Sequence, residues 1–182
     1  SPDPANAYFA DGLHEEILAT FARTRSLRVI SRTSVQEYRD PQRNLKEIAE
    51  ALGVALILEG SVRREGDDLR LTLQLIDGRT DEHLWAETYD RKFKDALTLQ
   101  RTVAEQVVAA IGGTLSPAER DVVEQAAPSN PEAWDRYVHA LALYRANWNT
   151  EAESDQIEAL LTEAIALDPR FALAYAIRAN AR

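Results

Sequence analysis

Cysteine is absent from the 182 residues of this chain. Disulfides, thiolate metal sites and cysteine nucleophiles are therefore excluded. Basic residues are few relative to acidic ones, 21 against 30, which gives a formal net charge of −9. An acidic chain is poorly suited to binding a phosphate backbone, so we expect no direct contact with nucleic acid.

Long apolar runs are missing as well. No stretch approaches the roughly 20 apolar residues that span a bilayer. The chain also does not open with the basic and then apolar segment of a secretory signal. We therefore expect no membrane insertion by this segment and a cytoplasmic location, with the periplasm as the alternative if the parent protein has a transmembrane segment.

The composition is that of a folded protein, with 45% hydrophobic and 28% charged residues. In the first 112 residues, apolar spacing predicts three helices at about 12–24, 45–52 and 95–111. Asp11 is the expected N-cap of the first helix, and Asn44 and Gly53 are the expected caps of the second. The same region has strand patterns at 27–32, 55–64, 69–75 and 83–89. The last three strands are joined by loops too short for crossovers, so we expect an antiparallel meander. This order predicts an α+β fold in which helices pack on a mixed, largely antiparallel sheet.

After Gly113 the strand pattern stops. A capping box at Ser116–Glu119 predicts a short helix to about Ala126. Helical patterns then start near Trp134, after Thr150 and at Phe171. Thr150 and Glu153 form a second predicted capping box. We therefore divide the chain into an α/β domain at 1–112, a connecting helix and linker at 113–130, and an all-helical region at 131–182.

Residues 131–182 resemble a tetratricopeptide repeat (TPR). The resemblance is carried by Ala133-Trp134, Tyr137, Leu141, Leu161, Ala164 and Pro169, with Ala174-Tyr175 where a next repeat would open. Trp134 lies 41 residues before Tyr175, against about 34 in the repeat, so the extra residues fit between the two helices. The resemblance implies a truncated array whose groove binds a protein or peptide. The alternative is an ordinary helical hairpin that caps the first domain.

Residues 1–112 resemble the TolB-like N-terminal domain of bacterial signalling proteins. The resemblance is carried by Tyr8-Phe9-Ala10-Asp11-Gly12-Leu13, Leu58-Glu59-Gly60-Ser61-Val62-Arg63, Leu73-Gln74-Leu75-Ile76-Asp77 and His83-Leu84-Trp85-Ala86. It implies helices on a mixed sheet of about five strands, placed beside TPR repeats and without established catalysis. The family's first strand has no counterpart here. The resulting open sheet edge would allow association of two copies.

No residue cluster predicts catalysis. Asp11, Glu15 and Glu16 could hold a cation or act in acid–base chemistry, but helix capping and the helix dipole explain all three. His14 and the other histidines lack metal-ligand spacing. Ser61 lacks the second glycine of a nucleophile elbow, so we expect a small residue packed under a helix. No glycine-rich loop leads to a lysine. We predict no catalytic, cofactor-binding or metal-binding residue.

Arginines form two clusters, each of which could bind an anionic ligand. The first contains Arg23, Arg25, Arg28 and Arg32, and the second contains Arg63, Arg64 and Arg70. Because the chain is acidic overall, we favour a solvated face balanced by nearby acids.

Aromatic residues are the candidates for partner binding. Trp85 and Tyr89 share a strand face, where packing in the core is favoured. In the helical region the candidate partner-binding residues are Trp134, Tyr137, Tyr144 and Tyr175, for which core packing is an equal alternative.

These features predict a non-catalytic interaction and sensing module of a bacterial signalling protein, whose TPR part binds a protein partner. One alternative is the regulatory fragment of an adenylate or guanylate cyclase with its catalytic domain outside this chain. A second alternative is the effector region of a winged-helix transcriptional regulator.

Overall fold

The computed structural model describes residues 4–24, 27–39, 44–120, 129–146 and 150–181. In these ranges the fold is α+β, with helices on one face of a three-stranded antiparallel sheet and further helices after it. The α+β part of the predicted fold class is confirmed. The described residues contain no parallel strand pair, so the expectation of a mixed sheet is wrong for this part of the chain.

Helix α1 covers Pro4–Ala22 and begins well before the predicted start. Its first half is held by Phe9, which is completely buried and lies 5.2 Å from the ring of Trp134 and 5.9 Å from that of Phe93. These contacts come from distant parts of the chain, so the local pattern did not reveal them. Asp11 lies inside the helix, and its predicted role as the N-cap is wrong.

The segment predicted as the first strand is not a strand. Residues 27–30 have no regular secondary structure. Arg32–Val35 forms the short helix α2, which continues as a 3-10 helix over Gln36–Tyr38. An extended segment becomes part of a sheet only when a neighbour accepts and donates its backbone hydrogen bonds, and no described strand pairs with residues 27–30. The four predicted strands are therefore three.

Helix α3 covers Leu45–Leu52 between the two predicted caps. The Asn44 side chain accepts a hydrogen bond from the backbone N–H of Glu47 at 3.0 Å. Gly53 ends the helix with φ 64°, a left-handed conformation that glycine reaches without a Cβ penalty. Local chemistry sets both ends of this helix, and the prediction is confirmed.

The sheet is the predicted meander. It consists of β1 (Leu56–Glu65), β2 (Asp68–Asp77) and β3 (Glu82–Lys92), in that spatial order. Leu71 in the central strand lies opposite Val62 on one side and Tyr89 on the other. β3 leads through a 3-10 helix, Phe93–Asp95, into helix α4, Ala96–Ala110.

The two faces of the sheet differ. The four alternating leucines of β2 are at most 5% exposed: Leu69, Leu71, Leu73 and Leu75. Helix α1 contacts β1, α4 contacts β3, and the two helices pack against each other. Tyr89 is buried on this covered face and donates a hydrogen bond to Gln106 of α4 at 2.6 Å, while Trp85 is half-buried there. The expectation that Trp85 and Tyr89 pack in the core is confirmed.

Helices follow the sheet, and no strand occurs in the described residues after Gly113. A helical turn at 117–120 begins the predicted connecting helix, whose remainder lies outside the described residues. The helical region contains α5 (Pro131–Arg145), α6 (Glu151–Leu167) and α7 (Ala172–Asn180). The predicted capping box of Thr150 and Glu153 is present at the start of α6.

One hydrophobic core crosses the predicted domain boundary. Helix α5 packs against both α1 and α6, and α6 packs against α7. Trp134 of α5 is completely buried beside Phe9 of α1. The α/β layer and the helices therefore share buried apolar surface, which is the main favourable term in folding. None of the helices in the described ranges has both the length and the apolar character of a membrane span.

Candidate functional site

A cleft of about 410 Å³ lies where α1, α2 and α5 meet. This volume falls within the range of small-molecule sites, about 300–1,000 Å³. Charged side chains from all three helices face it together with an apolar wall from α5. The residues of interest are Asp11, Arg32 and Arg145, and Val138, Leu141 and Ala142.

Gly12 lets α1 approach α5 at the base of the cleft. A Cβ atom on Gly12 would lie 2.5 Å from Cγ1 of Val138 and 2.6 Å from its Cβ. These distances are too short for any side chain. The small residue therefore sets how closely the two helices pack, and with it the shape of the cleft.

Five charged side chains form one network beside the cleft. Arg32 lies 3.6 Å from a carboxylate oxygen of Asp11 and 3.7 Å from one of Glu15. Asp11 also contacts the guanidinium of Arg39. Glu15 makes a two-point ion pair with Arg145, with Nη2 donating to Oε1 at 2.8 Å. Among the described residues, this network therefore has three cations and two carboxylates, an excess of one positive charge.

Burial and ion pairing separate the pKa values of neighbouring residues on α1. The hydrogen bond from Arg145 lowers the pKa of Glu15 and outweighs the opposing effect of burial. Burial raises the pKa of Glu16, which is 8% exposed. Burial and the charge of Arg32 lower the pKa of His14. Two adjacent glutamates therefore have opposite shifts.

A second polar network joins the α/β layer to α5. Asp135 accepts a hydrogen bond from Arg64 of β1 at 2.7 Å and one from the Tyr8 hydroxyl at 3.2 Å. The Arg64 guanidinium lies 3.7 Å from the ring centroid of Phe93, a cation–π geometry. The Tyr8 ring stacks on His139 at 4.6 Å. Burial, followed by the charge of Asp135, raises the pKa of Tyr8.

The four predicted partner-binding residues are in different environments. Trp134 is 0% exposed and Tyr137 is 6% exposed, with its ring 4.8 Å from that of Phe171. The core alternative therefore holds for these two side chains in this conformation. Tyr144 is half-buried, and Tyr175 is 41% exposed. The role of all four residues in partner binding stays a prediction.

The predicted charged clusters are rearranged by the fold. Of the acidic group, Asp11 and Glu15 pair with arginines, whereas Glu16 is buried, so the capping explanation is wrong for all three. The arginine clusters are also divided. Arg32 lines the cleft, Arg64 lies in the second network, and Arg70 pairs with Asp90 at 2.6 Å on the open sheet face. Arg25 lies outside the described residues. Ser61 is exposed on β1 and is not packed under a helix.

Sequence reasoning missed Arg145 and Asp135. Arg145 is 130 residues away from its partner Glu15, and Asp135 is 71 residues away from Arg64. Arg145 gave no local signal, because its side chain is 38% exposed. Asp135 gave one, since a charged residue next to the apolar stripe of a helix needs a partner when it is buried. That signal indicates that a partner exists but not which residue it is.

No protein-family model matches the chain. The chain is 35% identical over 177 residues to a protein of Rhizobium meliloti (strain 1021) named "Putative adenylate cyclase 3". The aligned region covers 97% of this chain and 30% of that protein. The chain thus spans less than a third of the length of this curated relative. The similarity covers the sheet layer and the helices together.

Proposed function

We propose that this chain is a regulatory region that controls an adenylate cyclase through protein contacts and that carries no cyclase chemistry itself. The supporting observation is the extent of the similarity: nearly the whole chain aligns with less than a third of a protein named as a cyclase. Most of that relative therefore lies outside the matched region and has room for a separate catalytic domain.

The proposal includes two domain assignments. Residues 1–112 are a TolB-like domain, and residues 131–182 are the start of a TPR-like array. Two contacts between helices that follow each other in sequence, α5 with α6 and α6 with α7, are what a repeat array needs. The repeat-defining residues lie inside this packing, where Ala133, Leu161 and Ala164 are completely buried.

The shared core gives this module a route for regulation. A partner bound to the helices changes the position of α5, and α5 contacts α1 through Trp134 and through the ion pair of Arg145 with Glu15. Because packed cores switch between discrete arrangements, a shift of one helix is transmitted to the sheet layer.

The exposed apolar residues of the last two helices are the proposed partner surface. Leu167, Leu173 and Tyr175 are between 40% and 44% exposed. Arg178 lies 5.5 Å from the ring centroid of Tyr175. Exposed aromatic and arginine side chains are enriched in protein interfaces, so a Tyr175→Ala variant should weaken partner binding.

The test is cyclic AMP formation from ATP and Mg²⁺ by the full-length protein that contains this chain. Deleting the region, or making the Arg145→Glu variant, should change the rate several-fold. The double variant Glu15→Arg with Arg145→Glu should restore it in part, because the ion pair is rebuilt with exchanged charges while Arg32 then faces a second arginine. Arg70→Glu on the open sheet face is the matched control and should leave the rate unchanged.

Two outcomes would contradict the proposal. Multiple turnovers of ATP to cyclic AMP by the purified chain alone would show that it is itself an enzyme. A full-length protein whose rate and regulation are unaffected by loss of the region would show that the region does not regulate the cyclase.

A further inference from the structure

We propose that the cleft between α1, α2 and α5 binds a small organic monocarboxylate. The ligand's carboxylate would lie against Arg32 and Arg145, and its apolar body would lie against Val138, Leu141 and Ala142.

Arg32 supplies the first argument. Its side chain is only 22% exposed. Its closest carboxylate oxygens, at 3.6 Å on Asp11 and 3.7 Å on Glu15, are beyond hydrogen-bond length. The Arg32 guanidinium donates no hydrogen bond to another residue in the described part of the chain, although the group has five N–H donors. A planar guanidinium with unused donors at the wall of a cleft matches the two oxygens of a carboxylate.

The charge of the network selects the charge of the ligand. Among the described side chains, Arg32, Arg39 and Arg145 face Asp11 and Glu15, which leaves one positive charge to be neutralised in this part of the chain. A monoanion balances that charge. A phosphate dianion would leave excess negative charge beside two carboxylates, and like charges at this range repel.

The apolar wall selects the body of the ligand. Val138 and Leu141 are buried residues of α5 whose side chains reach the cleft, and Ala142 extends the same surface. A hydrocarbon or aromatic group placed there would lose contact with water, at about 25 cal/mol for each Å² that becomes buried. Acetate, which lacks such a group, should therefore bind more weakly than benzoate.

Binding here can be measured on the chain alone, without a cyclase assay. An absence of ligand binding would therefore not contradict the proposed regulatory function. A failure of the regulatory function would likewise not contradict ligand binding in the cleft.

The test is isothermal titration calorimetry of the chain at pH 7.5 with four probes: benzoate, acetate, phenyl phosphate and benzyl alcohol. Benzoate should bind to one site with a dissociation constant on the order of 1 mM. Acetate and phenyl phosphate should bind at least about tenfold more weakly, and benzyl alcohol should give no saturable heat.

Variants locate the site. Arg32→Gln should weaken benzoate binding at least about tenfold, since a charge-assisted hydrogen bond is lost. Arg32→Lys keeps the charge but loses the planar fork, and it should give an intermediate affinity. Arg63→Gln, at an exposed position on β1, is the matched control and should bind as the unchanged chain does. Thermal unfolding shows whether each variant is folded.

Three results would overturn the proposal: no saturable benzoate binding at millimolar concentration, phenyl phosphate binding more tightly than benzoate, or unchanged benzoate affinity in folded Arg32→Gln and Arg32→Lys. If Arg32→Gln does not fold, the proposal is tested by the benzoate affinity of Arg32→Lys and by the relative affinities of the four probes for the unchanged chain.

Discussion

Arg145 at the end of α5 holds Glu15 in the middle of α1 by a two-point ion pair, in which Nη2 donates to Oε1 at 2.8 Å. The partners are 130 residues apart in the sequence. Together with Asp135 and Arg64, they provide polar contacts between the α/β layer and the helices, next to the apolar contact of Phe9 with Trp134. The junction is therefore specified by charge as well as by packing.

The first prediction concerns this ion pair. Glu15→Gln and Arg145→Gln should each lower the free energy of unfolding by about 0.5–1 kcal/mol, a modest value because both side chains are partly exposed and screened by solvent. Urea unfolding of the two single variants and the double variant measures the coupling. The pair of Arg70 and Asp90, with similar geometry on the open sheet face, is the control and should show weaker coupling. Equal coupling in both pairs would show that the junction pair has no special role.

The second prediction concerns Gly12. Alanine usually stabilises a helix interior by about 0.5–1 kcal/mol relative to glycine. Here its Cβ would lie 2.5 Å from Val138, and such overpacking costs about 1–3 kcal/mol. Gly12→Ala should therefore destabilise the chain by roughly 1–2 kcal/mol, as measured by urea unfolding. Adding Val138→Ala should remove the clash, so the double variant should lose less than the sum of the single losses. A stabilised Gly12→Ala variant would mean that α1 and α5 are not in close contact.

The third prediction concerns pH. The folded-state pKa of Glu16 is raised from 4.5, with burial as the main cause, opposed by Arg23 and reinforced by Glu15. The native state therefore binds a proton more tightly than the unfolded chain, and stability falls as pH rises from the unfolded pKa through the folded one. Glu16→Gln should be more stable than the unchanged chain at pH 7, and the difference should shrink toward pH 4.

Glu15 is the matched control for this effect. Its folded-state pKa is lowered, so its contribution to stability is present above the unfolded pKa and is lost as pH falls through the folded one. Glu15→Gln should consequently be less stable than the unchanged chain at neutral pH, and the loss should disappear in acid. Urea titrations at pH 7, 5 and 4 measure both variants. The same direction of pH dependence in both would contradict the assigned environments.

The fourth prediction separates core from surface among the aromatic residues. Trp134 is 0% exposed, and replacing such a residue with alanine costs about 3–5 kcal/mol. Tyr175 is 41% exposed, so Tyr175→Ala should change the free energy of unfolding by no more than about 0.5 kcal/mol. Trp134→Phe should be much milder than alanine, because the indole N–H has no hydrogen-bond partner in the described residues. Comparable losses at Trp134 and Tyr175 would contradict this division.

Much of the fold could be predicted where a pattern is local. The alternating leucines of β2 identified the covered sheet face, and short turns identified the meander. The candidate site could not be predicted in the same way. Asp11 and Glu15 were identified as an acidic group next to a predicted helix start. The helix begins earlier, because Phe93, which follows β3, and Trp134 of α5 pack against Phe9. Because α1 begins at Pro4, Asp11 and Glu15 lie inside the helix, and capping does not explain their positions.

The sequence by itself determined the features that depend on neighbours along the chain: the Asn44 and Gly53 caps of α3, the Thr150–Glu153 capping box of α6, and the period-two pattern of β2. Only the tertiary structure decided which charges meet, that residues 27–30 form no strand, and that Trp134 lies in the core. The physical reason is the separation along the chain over which each kind of interaction acts. Backbone caps and alternation act within a few residues, whereas burial and ion pairing depend on distance through space between elements far apart in the chain.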